Sequence, residues 1–355
     1  MPIQKPTGPG GYPGFDGNDL IYCRESPWYQ SNPGGLRCTL CPHHCFLKEG
    51  MTGQCKTRLA KEGKLFTIAY GNPCSVHTDP VEKKPFFHFL PASSCFSVAT
   101  AGCNLSCINC QNWEISQQQP ASLPYLELFP AQVVEAAISR GCASIAYTYT
   151  EPAVFYEYMA DTAEIARSRG VKNLMVSNGY ICQEPLRKLA GYLDAANIDL
   201  KSFSAQTYKD HFGGHLKPVL DTLQTLKEAG VWLEITNLLI PGLTDDPVET
   251  ARMCDWLVSR GFADTPVHFS RFHPMFRLSN LKVTPLSTLE TARDIAIRAG
   301  FRYVYTGNVP GTGTEDTVCP SCRHTIIRRT GFIVKANEMA DGACRYCGTA
   351  IAGVW

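Results

Sequence analysis

The sequence predicts an α/β fold: a partial (β/α)6 TIM-like barrel between an N-terminal cysteine-rich metal region and a C-terminal zinc-ribbon or rubredoxin-like module. Two observations predict it. Apolar, β-rich runs alternate with amphipathic patterns through the middle of the 355 residues, and most of the 17 cysteines fall into close groups. The predicted boundaries are 1–85 for an N-terminal arm and metal region, 86–310 for the barrel and 311–355 for the module.

The first element is a four-cysteine group, Cys38, Cys41, Cys45 and Cys55, with the spacing C-x2-C-x3-C-x9-C. Four thiolates complete the coordination of zinc or of a saturated 4Fe–4S cluster, so the spacing predicts a metal and leaves its identity open. The preceding residues 1–14 are rich in proline and glycine, and we expect a poorly ordered arm there.

The barrel is predicted from a regular alternation of strand and helix patterns. Each helix pattern is followed by a glycine, as expected at a C-terminal cap. The predicted strands are 97–100, 143–148, 173–177, 196–200, 232–239, 267–270 and 303–306, and the helices are 131–140, 155–169, 219–229, 247–260 and 286–299. Roughly six such βα repeats predict a parallel sheet with right-handed crossovers and favour an incomplete barrel over a closed one.

Polar residues cluster at the carboxyl ends of the predicted strands, where the active sites of such barrels lie. Each one alone has a plain structural explanation, such as a turn or an ion pair, but their shared placement favours a ligand site. The candidates are Glu151, Ser177, Asn178, Asp199, Lys201, Asn237 and His273.

The first of these strand ends carries Cys103, Cys107 and Cys110, spaced C-x3-C-x2-C. Three thiolates would leave one iron of a 4Fe–4S cluster open to a small molecule. The alternative is a structural zinc site, completed by Cys95 or Cys142.

The last element is a pair of C-x2-C knuckles, Cys319 with Cys322 and Cys344 with Cys347, which predicts a zinc ribbon or rubredoxin-like module. Short strands are expected at 325–329 and 331–335, and the apolar end 351–355 should pack back on the protein. We interpret this site as structural, with an electron-relay iron site or a docking surface as alternatives.

Composition limits the partners and the compartment. Hydrophobic residues make up 44% and charged residues 18%, as in globular proteins, and the net charge of +1 provides no long-range attraction to nucleic acid or anionic membranes. We find no transmembrane stretch and no signal peptide. Grouped cysteines without an export signal predict a reducing cytoplasm.

Together these motifs resemble the radical S-adenosylmethionine (SAM) superfamily and, within it, the pyruvate formate-lyase activating enzyme-like branch. Over nearly the whole chain the sequence is similar to the AmmeMemoRadiSam-system radical SAM protein. The segments that carry this resemblance are 37–45, 79–89, 103–112, 149–152 and 353–355.

The resemblance implies that Cys103, Cys107 and Cys110 hold the SAM-binding 4Fe–4S cluster. It also implies that Glu151 meets the amino group of SAM and that the polar residues at the later strand ends meet its carboxylate and ribose. Two positions depart from the family pattern: Asn109 replaces an aromatic residue near the adenine, for which Trp113 is a candidate substitute, and Val176 stands where an acidic residue is common.

Three functions follow as hypotheses, and no residue is predicted to be a catalytic acid or base. The first is an activase that installs a glycyl radical on a protein, drawing electrons from a flavodoxin- or ferredoxin-type reductant. The second is a radical SAM enzyme that modifies a peptide, an RNA or a small molecule, with the four-cysteine group as an auxiliary cluster. The third is a non-enzymatic module that binds several zinc ions.

Overall fold

A computed structural model describes residues 3–4 and 19–355, and an eight-stranded sheet forms its centre. Strands β2 to β8 are parallel and adjacent in chain order, while β1 pairs antiparallel with β2 at one edge. The strands are β1 Ser75–Pro80, β2 Ser94–Ala99, β3 Ser144–Tyr147, β4 Lys172–Ser177, β5 Ala195–Asp199, β6 Trp232–Leu239, β7 Val267–Arg271 and β8 Val304–Gly307. All seven predicted strands are confirmed, to within a few residues at their ends.

One helix connects each parallel strand to the next, as the alternating pattern requires. The helices are α1 Pro130–Ser139, α2 Tyr156–Ser168, α3 Gln183–Ala190, α4 Leu216–Glu228, α5 Pro247–Ser259 and α6 Leu286–Ala299. Five were predicted, and α3 was not. The predicted glycine caps are confirmed, since Gly141, Gly170, Gly230, Gly261 and Gly300 all have positive φ.

Short elements complete the connections around this framework. They include the helical turns Asp19–Tyr22, Val81–Lys83, Trp113–Ser116, Pro120–Ser122, Pro152–Phe155, Ala205–Thr207 and Phe276–Leu278. A π-helix, Tyr208–Phe212, lies beside the loop that follows β2. Such π-turns are frequently found at functional sites.

Two small antiparallel sheets make up the N-terminal region. One contains Arg24–Glu25, Arg58–Lys61 and Lys64–Thr67, and the other contains Tyr29–Asn32, Gly35–Cys38 and Phe46–Leu47. The predicted poorly ordered arm, residues 1–14, lies outside the described residues except for Ile3–Gln4, which pairs with Tyr125–Leu126.

The C-terminal module contains the strands Thr317–Val318, Thr325–Thr330 and Ile333–Asn337 and the pair Met339–Ala340 and Ala343–Cys344. The last residues pack back on the protein, as predicted. The amide of Val354 donates to the His88 carbonyl at 2.8 Å, and the Leu90 amide donates to the Val354 carbonyl at 2.7 Å. Among the described residues, no helix has the length and apolarity needed to span a membrane.

The amino end of the sheet is closed by the segment that precedes β2. Glu234, near the start of β6 and fully buried, accepts hydrogen bonds from the backbone amides of Phe87 at 2.9 Å and His88 at 2.8 Å. His268 on β7 contacts the other oxygen of this carboxylate at 2.6 Å. Because this end is filled, the carboxyl ends of the strands are left for the polar residues predicted to bind a ligand.

Candidate metal and cofactor site

The loop after β2, residues 101–112 and here called the cysteine loop, carries Cys103, Cys107 and Cys110. The sulfurs of Cys103 and Cys110 have hydrogen-bonding partners. The Cys103 Sγ receives the Leu105 amide at 3.4 Å and the Asn178 side-chain amide at 3.7 Å, and the Cys110 Sγ lies 3.2 Å from the Ser116 hydroxyl. Donors aimed at cysteine sulfur are the usual surroundings of protein-bound iron–sulfur clusters.

Backbone contacts hold the cysteine loop on both sides. The amide of Ser106 donates to the Phe212 carbonyl at 2.9 Å, which ties the loop to the π-helix. On the other side Gly102, with φ of +98°, packs so closely that a Cβ there would lie 2.5 Å from the Cys55 carbonyl oxygen and 2.6 Å from Thr57 Cγ2. The cysteine loop is therefore fixed against the N-terminal metal region.

Burial favours the protonated form of two of these thiols, Cys103 and Cys107. It raises the pKa of Cys107 to about 11, although nearby Lys201 acts in the opposite direction. Burial, followed by the neighbouring Glu151, raises the pKa of Cys103 well above its ordinary value. A metal centre bound here must displace those protons, so its affinity increases with pH.

Glu151, just beyond β3, is 1% exposed, and its carboxylate accepts three hydrogen bonds. The donors are the Ala153 amide at 2.9 Å, the Ser177 hydroxyl at 2.8 Å and the Asn178 amide at 2.8 Å. Burial raises its pKa to about 7, against these hydrogen bonds. Glu151 thus joins the ends of β3 and β4, and one lone pair of the carboxylate is left for a ligand.

Asn178 connects the end of β4 to the cysteine loop. Besides its contact with Cys103, its side-chain amide donates to Asn104 Oδ1 at 2.9 Å, and its own Oδ1 accepts the Tyr180 amide at 2.8 Å. Ser177, next to it, also accepts the Gly179 amide at 3.0 Å. Both residues lie where the sequence placed them, and both orient the loops around the cysteines.

Asp199 and Lys201 form an ion pair at the end of β5, with 2.9 Å between Nζ and Oδ2. Burial lowers the pKa of Lys201, but Asp199 and Cys107 raise it further, so the net shift is upward and the amine stays cationic. Asn237 on β6 donates to the Leu200 carbonyl at 2.7 Å, and its buried Oδ1 has no partner. Asn237 and the ion pair lie on neighbouring strands, since Asp199 is in register with Thr236.

A cavity of about 560 Å³ lies beside the cysteine loop, within the range of small-molecule sites. Asn109 and Gln111 border it on one side, Arg271 and the exposed His273 border it at the end of β7, and Phe332 of the C-terminal module closes the far side. The buried Oδ1 of Asn109 has no hydrogen-bond partner. This unpaired acceptor oxygen fits a ligand that carries amine or hydroxyl donors, as SAM does.

Trp113 stacks on Phe276, with 5.2 Å between ring centroids and 14° between planes. Phe276 lies in a turn that is joined to the cysteine loop by the Arg277 amide, 3.2 Å from the Ile108 carbonyl. The face of Trp113 that contacts Phe276 is therefore occupied. Whether its other face substitutes for the aromatic residue missing at position 109 stays a prediction.

A buried charge network lies behind Glu151 and was not predicted. Asp79 on β1 contacts Lys84 Nζ at 2.6 Å, Lys83 Nζ at 2.8 Å and the Ser97 hydroxyl at 2.8 Å. It also accepts the hydroxyl of Tyr149, which has φ of +65° and lies two residues before Glu151. The Asp-Pro-Val-Glu-Lys-Lys-Pro run at 79–85 was the available signal, and its role here is to hold the loop that positions Glu151.

The four-cysteine site, Cys38, Cys41, Cys45 and Cys55, surrounds a small cavity in the N-terminal region. Arg58 also lines this cavity and is fully buried in an ion pair with Glu157 at 2.7 Å. The structure thus brings all four predicted ligands around one space.

In the C-terminal module the four sulfurs are closer together. Cys319 Sγ lies 3.6 Å from Cys347 Sγ, and Cys322 Sγ lies 3.6 Å from Cys344 Sγ, with all four within 4.8 Å of one another. A tetrahedral ion with metal–sulfur bonds of about 2.3 Å separates its thiolates by about 3.8 Å. The geometry fits a single four-coordinate metal ion.

Comparison with known proteins identifies a family match in the central part of the chain. Residues 97–254 match the Radical SAM superfamily. An uncharacterized protein of Methanocaldococcus jannaschii is 44% identical over 331 residues, which cover 92% of this chain and 98% of that protein. The benzylsuccinate synthase activating enzyme of Thauera aromatica is 26% identical over 124 residues, 35% of this chain and 38% of that enzyme.

Among solved structures, a domain of pyruvate-formate lyase-activating enzyme from Bacteroides vulgatus superposes with a TM-score of 0.41 at 15% identity. The superposition covers 46% of this chain and 99% of that domain.

Proposed function

Since the chain belongs to the radical SAM superfamily, we propose that it is an oxidoreductase that binds a 4Fe–4S cluster through Cys103, Cys107 and Cys110 and SAM beside it. When bound and reduced, this pair supplies reductive cleavage of SAM to methionine and a 5′-deoxyadenosyl radical, which abstracts a substrate hydrogen. The observation that carries the proposal is the set of three thiols on one loop at the carboxyl edge of the parallel sheet, beside a cavity that the unpaired acceptor Asn109 lines.

The residues around the cysteine loop have separate tasks in this proposal. Lys201, paired with Asp199, offers a cation for the carboxylate of SAM, and Asn178, which contacts Cys103, is assigned to the same carboxylate. Glu151 orients Asn178 through the backbone and keeps one lone pair for the amine of SAM. The Oδ1 atoms of Asn109 and Asn237 accept from ligand donors, and His273 borders the substrate cavity.

The substrate class is a finer proposal. We infer a glycyl-radical activase in the pyruvate formate-lyase activating enzyme-like branch and in the AmmeMemoRadiSam-system family, supported by the similarity to the benzylsuccinate synthase activating enzyme and by the motifs at 79–89 and 103–112. The second candidate is modification of a smaller substrate, favoured by the cavity of about 560 Å³. A flavodoxin- or ferredoxin-type protein is the proposed reductant.

The architecture and compartment are proposed with it. We propose that the parallel sheet curves into a partial barrel, with the boundaries 85/86 and 310/311, and that the C-terminal module is a zinc ribbon. A reducing cytoplasm is the proposed compartment, because most of the cysteines fall into close groups suited to metals.

The test is anaerobic reconstitution with iron and sulfide, followed by dithionite and SAM, with 5′-deoxyadenosine as the readout. Wild-type protein and Cys142→Ala, which changes a buried cysteine outside the three groups, should both produce it. Cys107→Ala should not. If the wild type bound zinc alone, or if Cys107→Ala cleaved SAM normally, the proposal would be wrong.

A further inference from the structure

The four-cysteine site differs from the C-terminal site in the spread of its sulfurs. Among the described residues, the four cysteines of the C-terminal module have sulfurs that all lie within 4.8 Å of one another. The sulfurs of the N-terminal group do not meet that limit and surround a cavity instead; this group is Cys38, Cys41, Cys45 and Cys55. Thiolates on one ion crowd together, but thiolates on a cubane bind different irons and lie farther apart. The wider arrangement favours a polynuclear centre.

Arg58 supplies a second, independent observation. Its side chain is fully buried and lines the same cavity. One terminal nitrogen binds both Glu157 oxygens at 2.7 Å, and the other lies 3.4 Å from the Val154 carbonyl, but the buried Nε–H has no acceptor. Buried donors are rarely left unpaired, so this N–H indicates an occupant with acceptor atoms. The thiolates and sulfides of a cluster are such acceptors.

The site also adjoins the cysteine loop. Asn104, the neighbour of Cys103, lines the four-cysteine cavity, and its carbonyl contacts the His43 ring at 2.6 Å. The Cys55 carbonyl packs directly on Gly102. The residues beside the two groups of cysteines are thus in direct contact, a placement suited to a centre that exchanges electrons with its neighbour.

We propose that Cys38, Cys41, Cys45 and Cys55 bind a second, fully ligated 4Fe–4S cluster, to which the Arg58 Nε–H donates a hydrogen bond. This cluster takes up one electron from a low-potential reductant, dithionite in vitro, and releases one electron when reoxidised, with no bond broken. The buried guanidinium stabilises the more negative, reduced state and so raises the reduction potential. The assignment goes beyond the proposed SAM chemistry, which needs only the cysteine loop.

Metal analysis of a variant that lacks the other cluster site tests the assignment. The triple variant Cys103→Ala, Cys107→Ala and Cys110→Ala, reconstituted anaerobically, should retain about four irons and about four acid-labile sulfides per chain. It should give an electron paramagnetic resonance signal after dithionite. Zinc in place of iron and sulfide, or no metal at the site, overturns the proposal. Because these cysteines are absent, the result does not depend on SAM cleavage.

Two single variants test the same assignment in case the triple variant does not fold. Cys41→Ala in the otherwise native chain should lose about four irons and about four sulfides, whereas the nearby Cys182→Ala, whose Sγ lies 4.0 Å from His44, should lose none. Equal iron and sulfide contents in the two variants would contradict the assignment.

The role of Arg58 is tested by measuring the reduction potential of the cluster and not by measuring SAM cleavage. In the triple-variant background, Arg58→Gln with Glu157→Gln removes both buried charges and leaves a neutral pair of similar shape. The midpoint potential of the remaining cluster should become more negative, and Arg58→Lys, which keeps the charge, should give an intermediate value. An unchanged midpoint in the double variant, with iron content intact, shows that Arg58 does not act on the cluster.

Discussion

Replacing Asp79 with asparagine should destabilise the protein strongly, because it leaves Lys84 as an unpaired buried cation. The Lys84 side chain is 1% exposed and the Asp79 side chain 7%, with 2.6 Å between Nζ and Oδ2. Breaking a buried ion pair by removing one partner costs about 3–5 kcal/mol, a large part of a typical stability of about 5–15 kcal/mol. We therefore expect Asp79→Asn to lower the free energy of unfolding by about 3–5 kcal/mol.

Lys83 provides the matched control on the same carboxylate. Its side chain is 44% exposed and lies 2.8 Å from Oδ1, so Lys83→Met removes a partly exposed pair with a value of about 0–1 kcal/mol. Urea unfolding of anaerobically purified protein measures both. The double variant Asp79→Asn with Lys84→Met should recover part of the loss, since no buried charge remains.

Low pH should destabilise the protein in the same way as Asp79→Asn, because protonation also removes the negative charge of Asp79. Burial alone would raise the pKa of Asp79, but hydrogen bonds from Lys83, Lys84 and Tyr149 hold it well below its usual value of 3.8. This stabilisation is therefore present above pH 3.8 and is lost as the pH falls further. If Asp79→Asn proved no more costly than Lys83→Met, Asp79 and Lys84 would not act as a buried ion pair.

Three further predictions concern the metal sites and Glu151. Gly102→Ala should lower the iron content, because its Cβ would lie 2.5 Å from the Cys55 carbonyl oxygen. The control is Gly141→Ala, where φ is +65° and nothing lies within 4 Å of the added Cβ. It should lower the free energy of unfolding by about 1–2 kcal/mol and leave the iron content unchanged. Cys319→Ser should release one metal ion and lower stability, and lost SAM cleavage at unchanged stability would contradict a structural role. Burial favours protonated Glu151, so its contribution to stability is present below pH 4.5 and is lost as the pH rises through about 7. Glu151→Gln should abolish that pH dependence in urea unfolding, and an unchanged profile would refute it.

The parallel part of the sheet was predictable because its strands are apolar and bounded by helix patterns. Strand β1 was missed because Ser75–Pro80 mixes polar and charged residues and pairs antiparallel at an edge, where burial leaves a weak pattern. Helix α3 was missed because it has only eight residues and Pro185 lies at its third position, where proline is a breaker signal in sequence.

The candidate site was predictable where spacing along the chain carries the chemistry, as in the cysteine groups. It was not predictable where chemistry depends on residues far apart in sequence. Asp79 and Tyr149 are separated by 70 positions, and Arg58 and Glu157 by 99. Only the packing of β1 and the N-terminal sheets against the loops after β2 and β3 brings these partners together.

Part of the cavity lining comes from a hairpin turn that belongs to the C-terminal module and not to the eight-stranded sheet. Gly331 and Phe332 form this turn between Thr325–Thr330 and Ile333–Asn337. Turns accept insertions and substitutions more readily than strands do. If this cavity holds the substrate as proposed, substitutions in the turn alone change its size and leave the cysteine loop unchanged.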